Sequence, residues 1–520
     1  MISEGRSKPH KHSFRGVARV FGYSIIILAV AVGAVMIGSA FQVIHQFGAI
    51  SFPQMLMNLP GFGGGEAEVA PGLVEEFITR GVIIPLIVVA ILCLVAGFSL
   101  VRGAKRGAKR GPIMTVAALT AVVSLGAGYL TLDRSIGFSA FFFGDPQAES
   151  LADYYAEPKL DQPIPGDKNL ILIYLESMDD AFGDETLVGT NALESLQDAT
   201  DGWGQIGRYT QNPALGGWTM AGIVATQCGI PIRPPEGVAL SNDESDDLPE
   251  FLPGAKCLGD YLDEAGYRQV FLSGADQAFA GKGSFLRTHG FDEVKDRNYW
   301  REQGETEFSA WGLSDRRLFA RAREEALALR ASGEPFVLSM LTVDNHAPVY
   351  EAEYCPRTGI DPFLDAVGCQ SDLAADYIKF LNENGFMNDS VVVVIGDHQV
   401  LPSYDVAQYR EQLPDNQADI VPVFNRFWSP QGSVAFARDS AHQIDMFPTF
   451  LELLGAEIAD GRGGVGVSLF VPDGDARTIG TVLPMSDAQL AELLGSPSPG
   501  FYERMWGLEE KAAASVDGDS

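Results

Sequence analysis

Positive charge is scarce in this chain. Its 520 residues hold 37 Lys+Arg against 68 Asp+Glu, a formal net charge of −31 at pH 7. The first 149 residues carry 12 basic and 8 acidic side chains, so the rest carries 25 basic and 60 acidic. A surface so acidic argues against nucleic acid as a partner and against clamping onto an anionic membrane surface. If the substrate is anionic, a few local cations must overcome the general field. Cysteine is also scarce. Of the five, Cys93 falls in an apolar run and Cys228, Cys257, Cys355 and Cys369 come later. No Cys-x-x-Cys spacing occurs, which disfavours a thiolate metal site. An even number outside the cytoplasm suggests two disulfides, and proximity favours Cys228–Cys257 and Cys355–Cys369.

Charge is missing altogether from three long stretches: Val20–Phe41, Gly81–Val101 and Ile113–Leu132. Each meets the roughly 20 residues that a helix needs to cross the hydrocarbon core. A cleaved signal peptide is a weaker reading of the first, because the run is long and no small-residue cleavage pattern comes directly after it. Arg6, Lys8, Lys11, Arg15 and Arg19 precede the first run, and Arg102, Lys105, Arg106, Lys109 and Arg110 lie between the second and third. The positive-inside rule places both segments in the cytoplasm and everything after Leu132 outside. Residues 1–132 therefore read as a membrane anchor with helices at about 20–41, 81–101 and 113–132, and 133–168 as an extracytoplasmic linker. The linker includes an apolar patch at Phe141–Phe143.

Three further apolar runs end alike. Leu170–Leu175 runs into Glu176, Val391–Ile395 into Gly396, Asp397 and His398, and Phe336–Val343 into Asp344, Asn345 and His346. Unbroken Val/Ile/Leu runs suit parallel strands covered on both faces. Ligands of open α/β sheets gather at the carboxyl ends of such strands. Glu, Asp and His delivered there together are metal-ligand chemistry. Gly266–Ser273 reads as another strand, and Ser314–Leu329, Asp372–Asn382 and Gln443–Gly455 as helices. The alternation predicts an α/β domain over 169–508, with a mostly parallel central sheet flanked by helices. The polar residues 509–520 read as a disordered tail. No internal repeat is visible.

The stretch Leu215–Pro231 reads LGGWTMAGIVATQCGIP. Glycines precede Thr219 and a helix-compatible run comes after it, which puts the hydroxyl near a helix N-terminus, where backbone N–H groups favour phosphate. An ordinary helix cap would explain Thr219 alone. A threonine hydroxyl ionises poorly at neutral pH unless a metal lowers its pKa, and Glu176, Asp397 and His398 could hold one.

At these residues the chain resembles the alkaline phosphatase/sulfatase superfamily, and within it the membrane-anchored phosphoglycerol transferases. The segments NLILIYLES, GGWTMAGIVATQCGIP, CLGDYL, GADQAFAGKGSFLRTHGFDEV, LTVDNHAP and GDH carry the likeness, from Asn169 to His398. Lipoteichoic acid synthases share the layout more distantly. The resemblance implies a sulfatase-like fold, Thr219 as nucleophile and metal ligand, and Glu176, Asp397 and His398 as the other ligands. It implies one divalent ion, with carboxylate-rich ligation leaning to Mn²⁺ or Mg²⁺. It places His346 and Lys282 beside the phosphoglycerol group. Lys282 stands where the lipoteichoic acid synthases have an arginine, a point charge in place of a bidentate fork. Their tryptophan two positions earlier is Ala280 here, so an aromatic contact from that position is missing.

The activity implied is transfer of sn-glycerol-1-phosphate from phosphatidylglycerol to a periplasmic glucan, through a phospho-threonine, at a bacterial inner membrane. A phosphoethanolamine transferase shares the nucleophile logic with another head group. A sulfatase proper lacks support, since no C/S-x-P-x-R signature surrounds Thr219. A non-catalytic glucan-binding protein would not need Thr219 and its three companions together. His442 precedes a segment like the superfamily's helix near a second metal; a helix-start role suits it better. His289 reads as structural, Arg233 and Arg287 as weak anion candidates, and Asp344, Trp311 and Asp315 as shaping a pocket.

Overall fold

The computed structural model describes residues 11–47, 52, 55, 75–104, 111–139, 149–211, 217–233, 250–346, 349–356, 359–402, 405–413, 421–496 and 498–508. The Phe141–Phe143 patch and the tail at 509–520 lie outside the described residues. The chain divides into two compact units, one holding the apolar runs and one holding most of Ser139–Ser520.

In the first unit the three runs are helices: α1 (Lys11–Phe47), α2 (Ile84–Ala104), entered through a π-helical segment at Phe77–Ile83, and α3 (Gly111–Ile136). Each is long and apolar enough to span a membrane. Leu28, Leu94 and Val122 are exposed, as side chains facing lipid would be. The helices touch where side chains are smallest. A Cβ on Gly33 would meet the Ser124 carbonyl at 2.4 Å, and one on Gly128 the Gly33 carbonyl at 2.7 Å. Close approach at small residues is how helices pack without a hydrophobic driving force between them.

The second unit is built on one seven-stranded sheet. Its strands are β1 (Asn169–Leu175), β2 (Arg268–Ser273), β3 (Glu293–Lys295), β4 (Phe336–Leu341), β5 (Ser390–Gly396), β6 (Asn425–Ser429) and β7 (Gly432–Ser433). Their spatial order is β3-β2-β4-β1-β5-β6-β7. The first five run parallel, and β6 and β7 add an antiparallel edge. The expected mostly parallel sheet is therefore found, mixed at one side.

Side-chain alternation splits β1 between two cores. Leu170, Leu172 and Tyr174 pack with Met220, Ile223 and Val224 of α4 (Thr219–Cys228). Ile171, Ile173 and Leu175 face the opposite way, into a core shared with α6 (Asp315–Ser332) and α7 (Pro362–Glu383). Two covered faces explain why the strands read as unbroken apolar runs. Between α4 and α6 lies the short helix α5 (Lys282–Thr288), and α8 (Met446–Leu453) packs on the α4 side.

The stretch expected as a helix from Asp372 belongs to α7, which starts ten residues earlier at Pro362, capped by the Asp361 carboxylate on the N–H groups of Phe363 and Leu364. Within 133–168, Leu160–Gln162 pairs with Glu457–Ile458, and Leu151 is fully buried. Both expected disulfides are present, Cys228–Cys257 and Cys355–Cys369, and Cys93 is free.

Candidate active site

β1 lies between β4 and β5, and register aligns their ends. Leu175 pairs with Gly396, so Glu176 and Asp397 leave adjacent strands side by side. His398 comes directly after. One ligand atom each from Glu176, Asp397 and His398 lies within 4.8 Å of the others, and all three residues are buried. This is the crevice at the carboxyl ends of the strands where open α/β sheets bind ligands.

Small hydrogen bonds fix the orientation of each group. Asp397 Oδ1 accepts from the N–H of Ser177 at 2.9 Å and of His398 at 2.8 Å, which leaves Oδ2 buried without a hydrogen-bond partner. Ser177 Oγ donates to Glu176 Oε1 at 2.7 Å. Ser177 has φ +51°, a left-handed conformation rare outside glycine, at the turn where β1 releases Glu176. His398 Nδ1 donates to the Gln399 carbonyl at 2.7 Å, so Nε2 is directed at the carboxylates, 3.3 Å from Glu176 Oε1 and 3.6 Å from Asp397 Oδ2. A histidine whose second nitrogen is held by a carbonyl is the usual arrangement of a metal ligand.

Electrostatics point the same way. Burial would raise the Glu176 carboxyl, but His346, His398 and the bond from Ser177 bring it down to about 2. Burial and the Glu176 charge push Asp397 up to about 7. Burial would lower His398, yet the Asp397 and Glu176 carboxylates lift it to about 10. Two carboxylates this close and this buried call for positive charge between them. The donor set, the orphaned Asp397 oxygen and the fixed tautomer of His398 all fit a divalent cation.

Thr219 opens α4 after an extended Trp218, and its Oγ1 is 3.4 Å from Glu176 Oε2. The other nine residues of α4 are buried, while Thr219 is only half-buried. The helix reaches the acid–histidine cluster because residue 222 is glycine: a Cβ there would lie 2.0 Å from the Asp397 carbonyl oxygen. Gln443 Nε2 donates to the same oxygen at 2.7 Å.

Lys282 is the first residue of α5 and is buried. Ala280 (φ +54°) and Gly281 (φ +69°) form the left-handed turn that leads into it. Burial lowers its ammonium to about 8, while Asp276, Asp296, Glu176 and Asp397 pull the other way. His346 lies beyond the end of β4 and under Trp311, with ring centroids 3.9 Å apart. Phe279 meets the same indole edge-on at 5.9 Å. Aromatic surface beside His346 thus comes from Trp311, although Ala280 supplies none.

A buried polar network backs the site. Glu176 N–H donates to Thr342 Oγ1 at 2.8 Å, and Gln370 Nε2 donates to Thr342 Oγ1 at 2.8 Å and to Asp315 Oδ2 at 3.0 Å. Asn345 Nδ2 donates to Gln370 Oε1 at 3.1 Å. Sequence reasoning passed over Ser177, Gly222, Thr342 and Gln370; the signal for Ser177, Gly222 and Thr342 was closeness in sequence to Glu176, Thr219 and Asp344, and Gln370 carried no local signal. The remaining candidates have other partners. His289 bonds Asp260 and the Phe251 carbonyl, and Arg233 bonds the Gly495 and Ser496 carbonyls. His442 contacts Thr210 at 3.0 Å and Asp487 at 3.5 Å, and joins no metal-ligand group among the described residues.

Residues 168–456 match the sulfatase family, more than half of the chain, and the chain belongs to that family. Among curated relatives it is similar to phosphoglycerol transferase I of Xanthomonas campestris pv. campestris (strain B100), at 35% identity over 254 residues, covering 46% of this chain and 35% of that protein. Phosphoglycerol transferase I of Salmonella paratyphi B is 32% identical over 340 residues, covering 62% of this chain and 42% of that protein. The chain thus spans well under half the length of these relatives. Among solved structures, the lipoteichoic acid synthase LtaP from Listeria monocytogenes aligns with a TM-score of 0.45 at 19% identity, covering 62% of this chain and 79% of that one.

Proposed function

We propose that the chain is a membrane-anchored phosphoglycerol transferase. It moves sn-glycerol-1-phosphate from phosphatidylglycerol to a periplasmic glucan and releases diacylglycerol. The observation that carries this reading is the Thr219 hydroxyl, at a helix N-terminus and 3.4 Å from Glu176 Oε2 in the acid–histidine cluster. The names of the relatives support the transferred group. Glu176, Asp397, His398 and the Thr219 oxygen would hold one divalent ion, Mn²⁺ or Mg²⁺. When bound, it would lower the hydroxyl pKa and offset phosphate charge.

In the first step Thr219 Oγ1 forms a bond to phosphorus and the bond to the diacylglycerol oxygen breaks. The proton lost by Thr219 balances the one that the leaving oxygen gains. In the second step a sugar hydroxyl attacks, the Thr219–phosphorus bond breaks, and Thr219 regains a proton. N–H groups at the start of α4 face the phosphate. Lys282 and His346 bind the glycerophosphate group, and Lys282 supplies local positive charge in an acidic domain. The three apolar helices tether the domain to a membrane that contains the lipid donor, with the N-terminus cytoplasmic and the catalytic unit periplasmic.

The test is diacylglycerol release from phosphatidylglycerol in detergent, comparing wild type with Thr219→Ala, and Mn²⁺ with chelator. Release that needs both Thr219 and metal is expected. Release from phosphatidylethanolamine alone would make the enzyme a phosphoethanolamine transferase. Silence on both lipids would overturn the transferase reading.

A further inference from the structure

α4 and α5 carry Thr219 and Lys282 as their first residues, and their far ends meet. α4 closes on Cys228, and α5 is capped by His289. Cys228 is bonded to Cys257, which opens the short helix Leu258–Glu264, and Cys257 Sγ lies 3.8 Å from His289 Nε2. All three residues are buried. Bonded to one another, the two sulfurs are not the thiolates that a metal takes as ligands. The group is therefore a junction between helices.

Each member of the junction is fixed by bonds of its own. His289 Nε2 donates to the Phe251 carbonyl at 3.0 Å, and Nδ1 donates to Asp260 Oδ2 at 2.8 Å. The same Asp260 oxygen accepts from the Cys257 N–H at 2.7 Å. Phe251 N–H donates to Thr288 Oγ1 at 3.0 Å, so Phe251 grips both the last residue of α5 and its cap. A Cβ on Gly259 would lie 2.0 Å from the His289 carbonyl oxygen, so the helix Leu258–Glu264 packs directly on that cap. The imidazole thus joins the disulfide that ends α4 to the cap that ends α5. At 1.5 Å per residue the two helices are roughly 15 Å and 10 Å long. A short helix moves as a rod, so a tilt at its last turn reaches its first residue. α4 is already pinned at Gly222 against Asp397, and α5 at the Ala280–Gly281 turn. The junction supplies the second fixed point of each.

We propose that His289, with the Cys228–Cys257 disulfide, is a positioning residue that fixes the separation of Lys282 and Thr219, an inference that rests on the transferase reading above. A phosphate held by the lysine then stands where the Thr219 hydroxyl can attack it. The His289 ring contacts Asp260, Phe251, Cys257 and Phe285, none of them a residue of the site. It acts on the substrate only through the two helices.

The test uses the whole chain in detergent with Mn²⁺. It reads the KM for phosphatidylglycerol and, by calorimetry, the affinity for sn-glycerol-1-phosphate. His289→Gln keeps one donor and loses the ring's second bond. It should raise KM and weaken glycerol phosphate binding in parallel, each about tenfold, as displacement of a positioned group does. In a Lys282→Ala background the same substitution should change neither value further, since its effect passes through the lysine. A variant that had only lost stability would lower the folded fraction and leave KM and affinity as they were. Cys228→Ala with Cys257→Ala frees the end of α4 instead, and should lower kcat, counted per Mn²⁺ bound, about tenfold. Asp260→Asn repeats the first test through the other ring nitrogen should His289→Gln fail to fold. Unchanged KM and affinity in His289→Gln, an equal loss with and without Lys282, or unchanged kcat in the cysteine pair would overturn the proposal. Weakened glycerol phosphate binding in His289→Gln, with no wild-type diacylglycerol release from either lipid, would uphold the positioning role and remove the transferase reading.

Discussion

Gly222 on α4 packs directly against the backbone of Asp397: a Cβ added to it would sit 2.0 Å from the Asp397 carbonyl oxygen. That contact sets how closely Thr219 approaches the acid–histidine cluster. The neighbour is backbone, so it cannot swing aside. Gly222→Ala should therefore push α4 and the Asp397 turn apart. Overpacking of this kind costs about 1–3 kcal/mol. Denaturant unfolding should show that loss, and diacylglycerol release should fall by more than about a hundredfold, since geometry at a nucleophile is that sensitive. Activity near wild type would mean that the helix does not fix the nucleophile.

Ser177 holds Glu176 Oε1 through its hydroxyl and Asp397 Oδ1 through its N–H. Ser177→Ala removes only the first bond. Outer partners of metal ligands typically affect affinity about 10–100-fold. Mn²⁺ binding measured by calorimetry should weaken by that factor, with thermal unfolding little changed. Ser177→Gly adds a second comparison. It also lacks the hydroxyl, but it removes the strain of a side chain at φ +51°, so it should unfold at a higher temperature than Ser177→Ala while binding Mn²⁺ equally weakly.

The acid–histidine cluster was legible because the strands that deliver it are buried on both faces. Leu170–Leu175 and Val391–Ile395 suited strands covered on both faces, and residues just past the carboxyl ends of such strands face the crevice. β6 was not legible. Its residues alternate between buried and half-buried, and Asn425, Arg426 and Ser429 break the apolar run. Trp311 was visible as a pocket candidate but not as the partner of His346. The two residues meet only because the segment before α6 and the turn after β4 fold onto one another, and no local pattern encodes that. The inward turn to Lys282 depends on positive φ at Ala280, where sequence would place it only at Gly281.

Lys282 offers a pH test of the donor site. Burial depresses its ammonium from the ordinary 10.5 to about 8. The charged form is present below that value and is lost as pH rises through it. A phosphate group held by Lys282 should therefore bind less well on going from pH 7 to 9, seen as a rising KM for phosphatidylglycerol. Lys282→Arg keeps its charge over the whole range and should show a flat KM across the same interval. Lys282→Ala should raise KM at pH 7 by about tenfold or more and also lose the pH dependence. A wild-type KM that is flat from pH 7 to 9 would remove Lys282 from the donor site.

Asp315 and Asp344 form a second buried acid pair, locked by backbone bonds in both directions. Asp315 N–H donates to Asp344 Oδ2 at 2.9 Å, and Val343 N–H donates to Asp315 Oδ1 at 2.7 Å. Burial raises Asp315 to about 6; burial and the Asp315 charge raise Asp344 to about 9. Both values lie above the unfolded carboxyl value of about 4. The folded state thus holds more protons than the unfolded state across that window. The stability this contributes is complete below about pH 4 and is lost as pH rises through about 6 and then about 9. Asp344→Asn keeps an oxygen for the Asp315 N–H and the Tyr354 hydroxyl, and removes the second charge. It should raise the melting temperature at pH 9 by about 2–4 °C per kcal/mol relieved and flatten its decline between pH 6 and 9. Since Asp344 also holds the turn leading to His346, a variant with this thermal signature and an unchanged KM for phosphatidylglycerol would assign the pair to stability alone. A raised KM would show that the turn positions His346.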